Sequence, residues 1–430
     1  MKRTHVIAMA AAVVAALPGL IARLAGAAMP PQLEAAVAGS AIIGASFLLL
    51  WACDAAQTEM SQALALAVVA LIAVLPEYSV DMYFTWQAGR NPAGSYAQYA
   101  IANMTGANRL LIGVAWGLIV ALYWFRFRKP VRIENERRTE LFFLGLATVY
   151  AFVIPLKGTL AWYDGVVFLG IYVWYIAIAG RRPAGESEAE GPAELLTRLP
   201  KVQRRLATVA MFAFAAGVIL ANAAPFCEGL VGTGKALGIN EFLLVQWLAP
   251  IASETPEFVV ALMFAWRGEA GLALGSLLSA KLNQWTLLVG MIPGTFGLAS
   301  RSLAHPIPMG HYQMSELLLT AAQSLLAVVL LASMRLSVGG ALLLFGMFAG
   351  QFVLPLFSQW FPGLAFGLGS RQIHPVFSVM YVAVAAALFL QKPKETAALT
   401  RGVAAGCGCE DPEPARPECE DCKWRHGSRV

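Results

Sequence analysis

Two Pro-Glu pairs carry the chemistry of this sequence. Pro76-Glu77 lies in an apolar run over 62–88 and Pro256-Glu257 in one over 241–266, the two pairs 180 residues apart. Proline inside a helix removes a backbone donor and disturbs the preceding turn, which frees carbonyl oxygens. The neighbouring glutamate adds a carboxylate, and hard cations take this mixture of carboxylate and carbonyl oxygen. Asp81 follows Glu77 by one turn (i, i+4) and Glu254 precedes Glu257 by one turn (i, i+3), each on the same helix face. A carboxylate near the centre of a bilayer costs roughly 2.5–3.5 kcal/mol. Four would cost on the order of 10 kcal/mol, comparable to the net stability of many proteins. Ion handling accounts for such a burden better than packing does.

The elements that position these residues are membrane helices. Of the 430 residues, 58% are hydrophobic and only 13% charged, and the mean hydropathy is +0.63. A soluble domain carries about 25% charged residues. Apolar segments fall at 5–27, 34–53, 62–88, 95–124, 140–156, 162–180, 205–223, 241–266, 270–296, 314–333, 336–357 and 375–391. Most are long enough to cross about 30 Å of hydrocarbon. The first, after Met1-Lys2-Arg3 and ending near Ala25-Gly26-Ala27, also has the form of a signal peptide. More apolar sequence follows it rather than a polar domain, so it reads as an uncleaved span. The expected fold is therefore an all-α integral membrane protein of about twelve transmembrane helices.

Lys and Arg placement predicts the orientation. With the N-terminus in the cytoplasm, loop 126–138 and loop 181–205 hold six basic residues each and the tail seven. The outer loops hold only Arg90, Lys157, Lys235, Arg301 and Arg371. That pattern predicts a multi-pass protein of the cell inner membrane with both termini cytoplasmic. The basic residues are spread between spans rather than gathered in one patch, which excludes nucleic acid as a partner. The partners expected are the lipid bilayer and inorganic cations. No Ser-His-Asp order, nucleotide loop or His-Glu-x-x-His argues for an enzyme.

The polar stretch at 181–204 divides the chain into a first membrane half (1–180) and a second (205–391), with a tail at 392–430. The third and eighth spans carry the Pro-Glu pairs. Their ranks differ by an odd number, so they cross in opposite directions, which predicts inverted repeats with helices broken at Pro-Glu, as in many secondary transporters.

Beyond the pairs, Cys227-Glu-Gly-Leu-Val-Gly-Thr-Gly and Ala249-Pro-Ile-Ala-Ser-Glu-Thr-Pro-Glu-Phe, followed by Ala273-Leu-Gly-Ser, resemble the second α-repeat of the sodium/calcium exchanger superfamily. Leu75-Pro-Glu-Tyr-Ser-Val and Ala102-Asn-Met-Thr-Gly-Ala-Asn108 resemble the first. The resemblance implies secondary cation antiport by alternating access, of Na+, H+ or Ca2+, with no cofactor in the core. It makes Glu77 and Glu257 the paired central carboxylates, with Asp81 and Glu254 beside them. Asn103, Asn108 and Ser253 match family ligands. Several positions depart from the family pattern. Ala73-Val74 replaces Thr-Ser, Ser276 and Lys281 stand for two asparagines, and Ala107, Leu111, Ala280 and Gln284 replace other ligands. An incomplete sodium and calcium ligand set implies a monovalent or proton-linked exchange rather than a strict sodium/calcium one.

Lys281 suggests a tethered charge occupying one cation position, and Glu77, Glu254 and Glu257 are its candidate partners. The alternative is a structural salt bridge between helices. Asp54 and Glu228 read as residues near the membrane surface, Asp164, Lys157 and Glu316 as interfacial anchors, and His311 and His374 as loop histidines. In the tail, Cys407, Cys409, Cys419 and Cys422 have Cys-x-Cys and Cys-x-x-Cys spacing that could hold Zn2+ in a reducing compartment. A different class of function follows from that tail: a transport-inactive membrane sensor or scaffold.

Overall fold

The computed structural model describes residues 3–60, 72, 74–181, 191–358, 370–391 and 393–400. The cysteine-rich tail and its proposed zinc ligands lie outside the described residues. What is described is almost wholly helical, and nine helices are long and apolar enough to cross a membrane. We number the main rods in chain order as follows: α1 (Arg3–Leu24), α2 (Pro31–Gln57), α3 (Leu75–Arg90), α4 (Tyr96–Phe127), α5 (Asn135–Lys157), α6 (Trp162–Ala179), α7 (Lys201–Leu237), α8 (Glu241–Arg267), α9 (270–300), α10 (His311–Leu331), α11 (Val338–Ser358) and α12 (Ser370–Gln391). The described part of each expected apolar run falls on one of them; residues 62–71 of the third run lie outside the described residues.

Contacts at the helix ends sort the loops into two sets. Val131–Arg132 (β1) after α4 pairs antiparallel with Arg335–Leu336 (β2) after α10. Leu160, at the far end of α5, bridges Ile307, at the far end of α10. Glu59 after α2 meets Arg204 and Arg205 at the start of α7. These contacts join only loops that the twelve-span reading puts on one side of the membrane.

Four helices form the centre: α3 packs on α4 and α9, and α8 on α4 and α9. α4 and α9 are built alike. Each contains one π-helical turn, Leu111–Ala115 in α4 and Gln284–Leu288 in α9, and each ends on an arginine in the left-handed region, Arg128 (φ 55°) and Arg301 (φ 57°). All of these pairs share the offset of 173 residues that separates Asn108 from Lys281. A π-turn adds a residue to the ladder, rotates the side chains beyond it, and is often found at functional sites. Its recurrence at matched positions is the structural trace of the repeat.

Two expectations about helix ends are corrected. α7 runs unbroken through Pro225 to Leu237, 37 residues in all, rather than ending near 223. At 1.5 Å per residue that is about 55 Å, well beyond the hydrocarbon thickness; it packs along α2 in the most extensive helix contact among the described residues. The second Pro-Glu helix is not broken either: α8 is continuous through Pro250 and Pro256. In the first repeat, α3 starts at Leu75, so Pro76 sits in the first turn, where its missing N–H costs nothing.

One close approach fixes the spacing at the centre. Pro250 cannot donate to the carbonyl of Gln246, and Gly106 of α4 lies directly against that oxygen. A Cβ at Gly106 would stand 2.0 Å from it. Glycine is required there by contact between backbones, not by its φ.

Candidate functional site

Glu77 reaches the centre from the first turn of α3, and Ser253, Glu254 and Glu257 from the stretch of α8 before and after Pro256. Gln284 reaches it from the π-turn of α9. These five side chains line a cavity of about 10 Å³ closed by Val74, Leu111 and Ala280. That volume holds about one water-sized sphere. Glu77 and Glu254 are buried and Glu257 half-buried. Gln284 Nε2 donates to Glu254 Oε1 at 3.0 Å. Ser253 Oγ donates to its own helix, at 3.2 Å from the carbonyl of Ala249.

What remains is a set of acceptors. Glu77 Oε1, Glu254 Oε2, Glu257 Oε2 and Gln284 Oε1 are all buried without a hydrogen-bond partner. Buried polar atoms are nearly always bonded, and buried carboxylates need a counter-charge or a proton. Four such oxygens, three from carboxylates and one from an amide, therefore line one small void.

The other predicted site residues lie beside the cavity rather than on it. Asp81, one turn along α3, accepts from Asn103 Nδ2 at 2.7 Å and is buried. Lys281 is fully buried, and its direct hydrogen-bond partner is Asn108 rather than one of the expected carboxylates. Its Nζ donates to Asn108 Oδ1 at 2.6 Å and to the Asn108 carbonyl at 3.4 Å, and it stands 4.4 Å from the centre of the Trp285 ring. Asn108 and Lys281 lie at the same 173-residue offset as the two π-turns, so the bond joins α4 and α9 at equivalent positions. A carbonyl oxygen that could serve as a ligand is spent on the ammonium instead.

A second buried cluster was misread in the sequence. Glu316, expected as an interfacial anchor, is fully buried on α10 and ion-paired to Arg109 of α4. Gln246 Nε2 of α8 donates to the same carboxylate at 2.8 Å. His374, expected in a loop, is buried on α12 with Nδ1 3.0 Å from Glu316 Oε1. Arg109 follows Asn108 directly, so one helix faces both clusters. Its position within a span was the only available signal. Asp164 does sit at a span end, where it accepts from the Ala161 N–H and Tyr150 and pairs with Lys157. Glu228 accepts from Tyr83 at 2.6 Å and Tyr96 at 2.8 Å. Among the described residues, no group of three or more His, Cys, Asp or Glu is arranged so that it could hold a metal ion as the side chains stand.

The family model for sodium/calcium exchanger protein matches residues 35–180 and 207–357, one block on each repeat. The chain belongs to the sodium/calcium exchanger family. Within it, the chain is similar to the crystal structure of an H+/Ca2+ exchanger, CAX, with a TM-score of 0.87 and 37% identity over 94% of this chain and 99% of the other. It is 24% identical over 231 residues to an uncharacterized membrane protein of Methanocaldococcus jannaschii, covering 52% of this chain and 69% of that one. It is also 24% identical over 232 residues to a protein of Alkalimonas amylolytica named as an antiporter, CaxA, covering 53% and 67%. Membership makes the chain a multi-pass membrane protein of a transporter family and places both Pro-Glu pairs within the matched blocks.

Proposed function

We propose that the chain is a proton-linked cation antiporter that carries Ca2+ at the cavity between α3, α8 and α9. The observation behind this reading is the group of four unpartnered oxygens, three of them from different carboxylates, around a void of single-atom size. Ca2+ takes oxygen ligands at 2.3–2.6 Å and gives up its water readily, whereas Mg2+ keeps several waters. A cavity with no room for a hydration shell suits the former. The relative at 37% identity is an H+/Ca2+ exchanger, which supports the same pair of ions.

The chemistry follows from charge. Glu77, Glu254 and Glu257 cannot all stay ionised in a closed, dehydrated site without a counter-charge. Either the cation neutralises them, or protons do when the cation leaves. Exchange of one for the other is then set by the site itself. Gln284 orients Glu254 through its amide and offers its carbonyl oxygen to the cation. Asp81 and Asn103 hold one another and position α3 against α4. Lys281, tied to Asn108, fills with its amino group a place where the family pattern has an amide, which lowers the number of cations the core can hold. Alternating access then needs the two repeats to expose the cavity to each side in turn. The cytoplasmic placement of both termini is part of this proposal and rests on the basic loops.

Proton release tests the reading directly. Ca2+ added to purified protein in weak buffer should release protons, read by a pH dye, and Glu77→Gln or Glu257→Gln should abolish the release. Tight Ca2+ binding with no proton released would sink the proton-linked reading.

A further inference from the structure

A second site lies at the end of the molecule opposite the Leu160–Ile307 bridge. There a cavity of about 630 Å³ opens between the loop after α4, the turn after α10 and the segment after α12. Its lining includes Arg138, Arg335 and Lys394, one carboxylate, Glu395, and the hydroxyls of Ser333 and Ser337, against an apolar wall that includes Leu330. Three cations thus face one anion.

The local backbone sharpens that excess. In the two-residue ladder of β1 and β2, Val131 is directly opposite Leu336 and Arg132 directly opposite Arg335. The apolar pair is buried and the arginine pair exposed on the same face. Like charges directly opposite on neighbouring strands destabilise the pairing, and the ladder has only this one other pair to hold it. Arg138 adds an independent sign: its Nε is buried without a hydrogen-bond partner, while one terminal nitrogen donates to Asn135 Oδ1 at 3.2 Å. Guanidinium groups in this arrangement bind oxyanions through paired N–H donors.

We propose that this pocket binds a phosphate group, held by Arg138, Arg335 and Lys394, with Arg132 directly opposite Arg335 on the neighbouring strand. The cavity is several times larger than a phosphate ion, and its apolar wall, ending at Leu330 of α10, continues onto the membrane-spanning helix. A phospholipid with an anionic headgroup fills both parts, its phosphate on the cations and the upper part of an acyl chain against Leu330. Basic pockets at the ends of membrane helices bind anionic headgroups in this way. Soluble phosphate offers the same oxygens without the apolar part.

The test uses the full chain in detergent and compares phosphatidylglycerol, phosphatidylcholine and inorganic phosphate as probes, with lipid adducts counted by native mass spectrometry and phosphate binding read by thermal stabilisation. Phosphatidylglycerol should bind in preference to phosphatidylcholine. Arg335→Gln and Lys394→Gln should each weaken it about five-fold, the effect of one basic charge at a membrane surface. Lys235→Gln, at the opposite end of the molecule, should leave it unchanged. Stabilisation by inorganic phosphate that Arg335→Gln and Lys394→Gln both remove, with no lipid preference, would support the site and assign it to a soluble anion. Equal binding of both probes to the parent, Arg335→Gln and Lys394→Gln proteins would overturn the proposal.

Discussion

Gly106→Ala is the sharpest test of how the centre of this molecule is built. The new Cβ would stand 2.0 Å from the Gln246 carbonyl oxygen and 2.9 Å from its carbonyl carbon. The obstacle is backbone, which cannot turn aside as a side chain can. Ordinary contact begins near 3.4 Å, so α4 and α8 must separate by about 1.4 Å at their crossing. Overpacking of this kind costs typically 1–3 kcal/mol, a loss that a folded protein can survive. Function should suffer more. The crossing sets the distance between the helix of Asn108 and the helix of Ser253, Glu254 and Glu257, and a displacement of about 1 Å costs on the order of a hundred-fold in sites that depend on position. Ca2+ flux in proteoliposomes should fall by that order while the protein stays folded by size-exclusion profile. Gly170→Ala in α6, where a Cβ meets nothing within 4 Å, should behave like the parent. Equal flux from Gly106→Ala and Gly170→Ala would refute the claim that this contact sets the site.

Three further outcomes follow from named contacts. Glu316→Gln leaves Arg109 buried without its counter-charge and should destabilise by about 3–5 kcal/mol; the double variant with Arg109→Gln should be less unstable than the sum of the single ones, and strict additivity in denaturation midpoints would contradict the pairing. Lys281→Asn frees Asn108 Oδ1 and restores the family's amide, so Na+ gradients should begin to drive flux; unchanged ion selectivity and pH dependence would count against the tethered charge. Hydrogen bonds from Arg205 and Arg204 hold the Glu59 carboxyl below its ordinary 4.5. A depressed pKa contributes stability above the unfolded value and loses it as pH falls through the folded one. Thermal midpoints of the parent and Glu59→Gln should therefore differ slightly at neutral pH, less in high salt, and converge below about pH 4.5.

Much of this architecture is written in the sequence because the bilayer demands it. Every span must be apolar and helical, so twelve runs were legible, and so were Pro76-Glu77 and Pro256-Glu257 as charged exceptions within them. Faces were not legible. A helix surrounded by lipid and other helices is apolar all round, so periodicity cannot say that Asp81 turns to Asn103 while Glu77 turns to the cavity. Partners distant in the chain were equally hidden: Arg109 and Glu316 are 207 residues apart, and His374 was placed in a loop because its helix begins at Ser370, earlier than the apolar run suggests. Gln284 was counted as a lost ligand because it differs from the family residue, yet its carbonyl oxygen lies among the orphaned acceptors. The continuity of α8 through Pro256 was missed for a simpler reason: one absent donor bends a helix without having to break it.

The central claim is that the cavity between the two Pro-Glu helices exchanges protons for Ca2+. Its most direct test is radioactive Ca2+ uptake into proteoliposomes under an imposed pH gradient, with Glu77→Gln and Glu257→Gln alongside the parent. Uptake that needs the gradient, reverses with its sign and disappears in both variants is the predicted result. Uptake indifferent to the gradient, or surviving in either variant, would contradict the account.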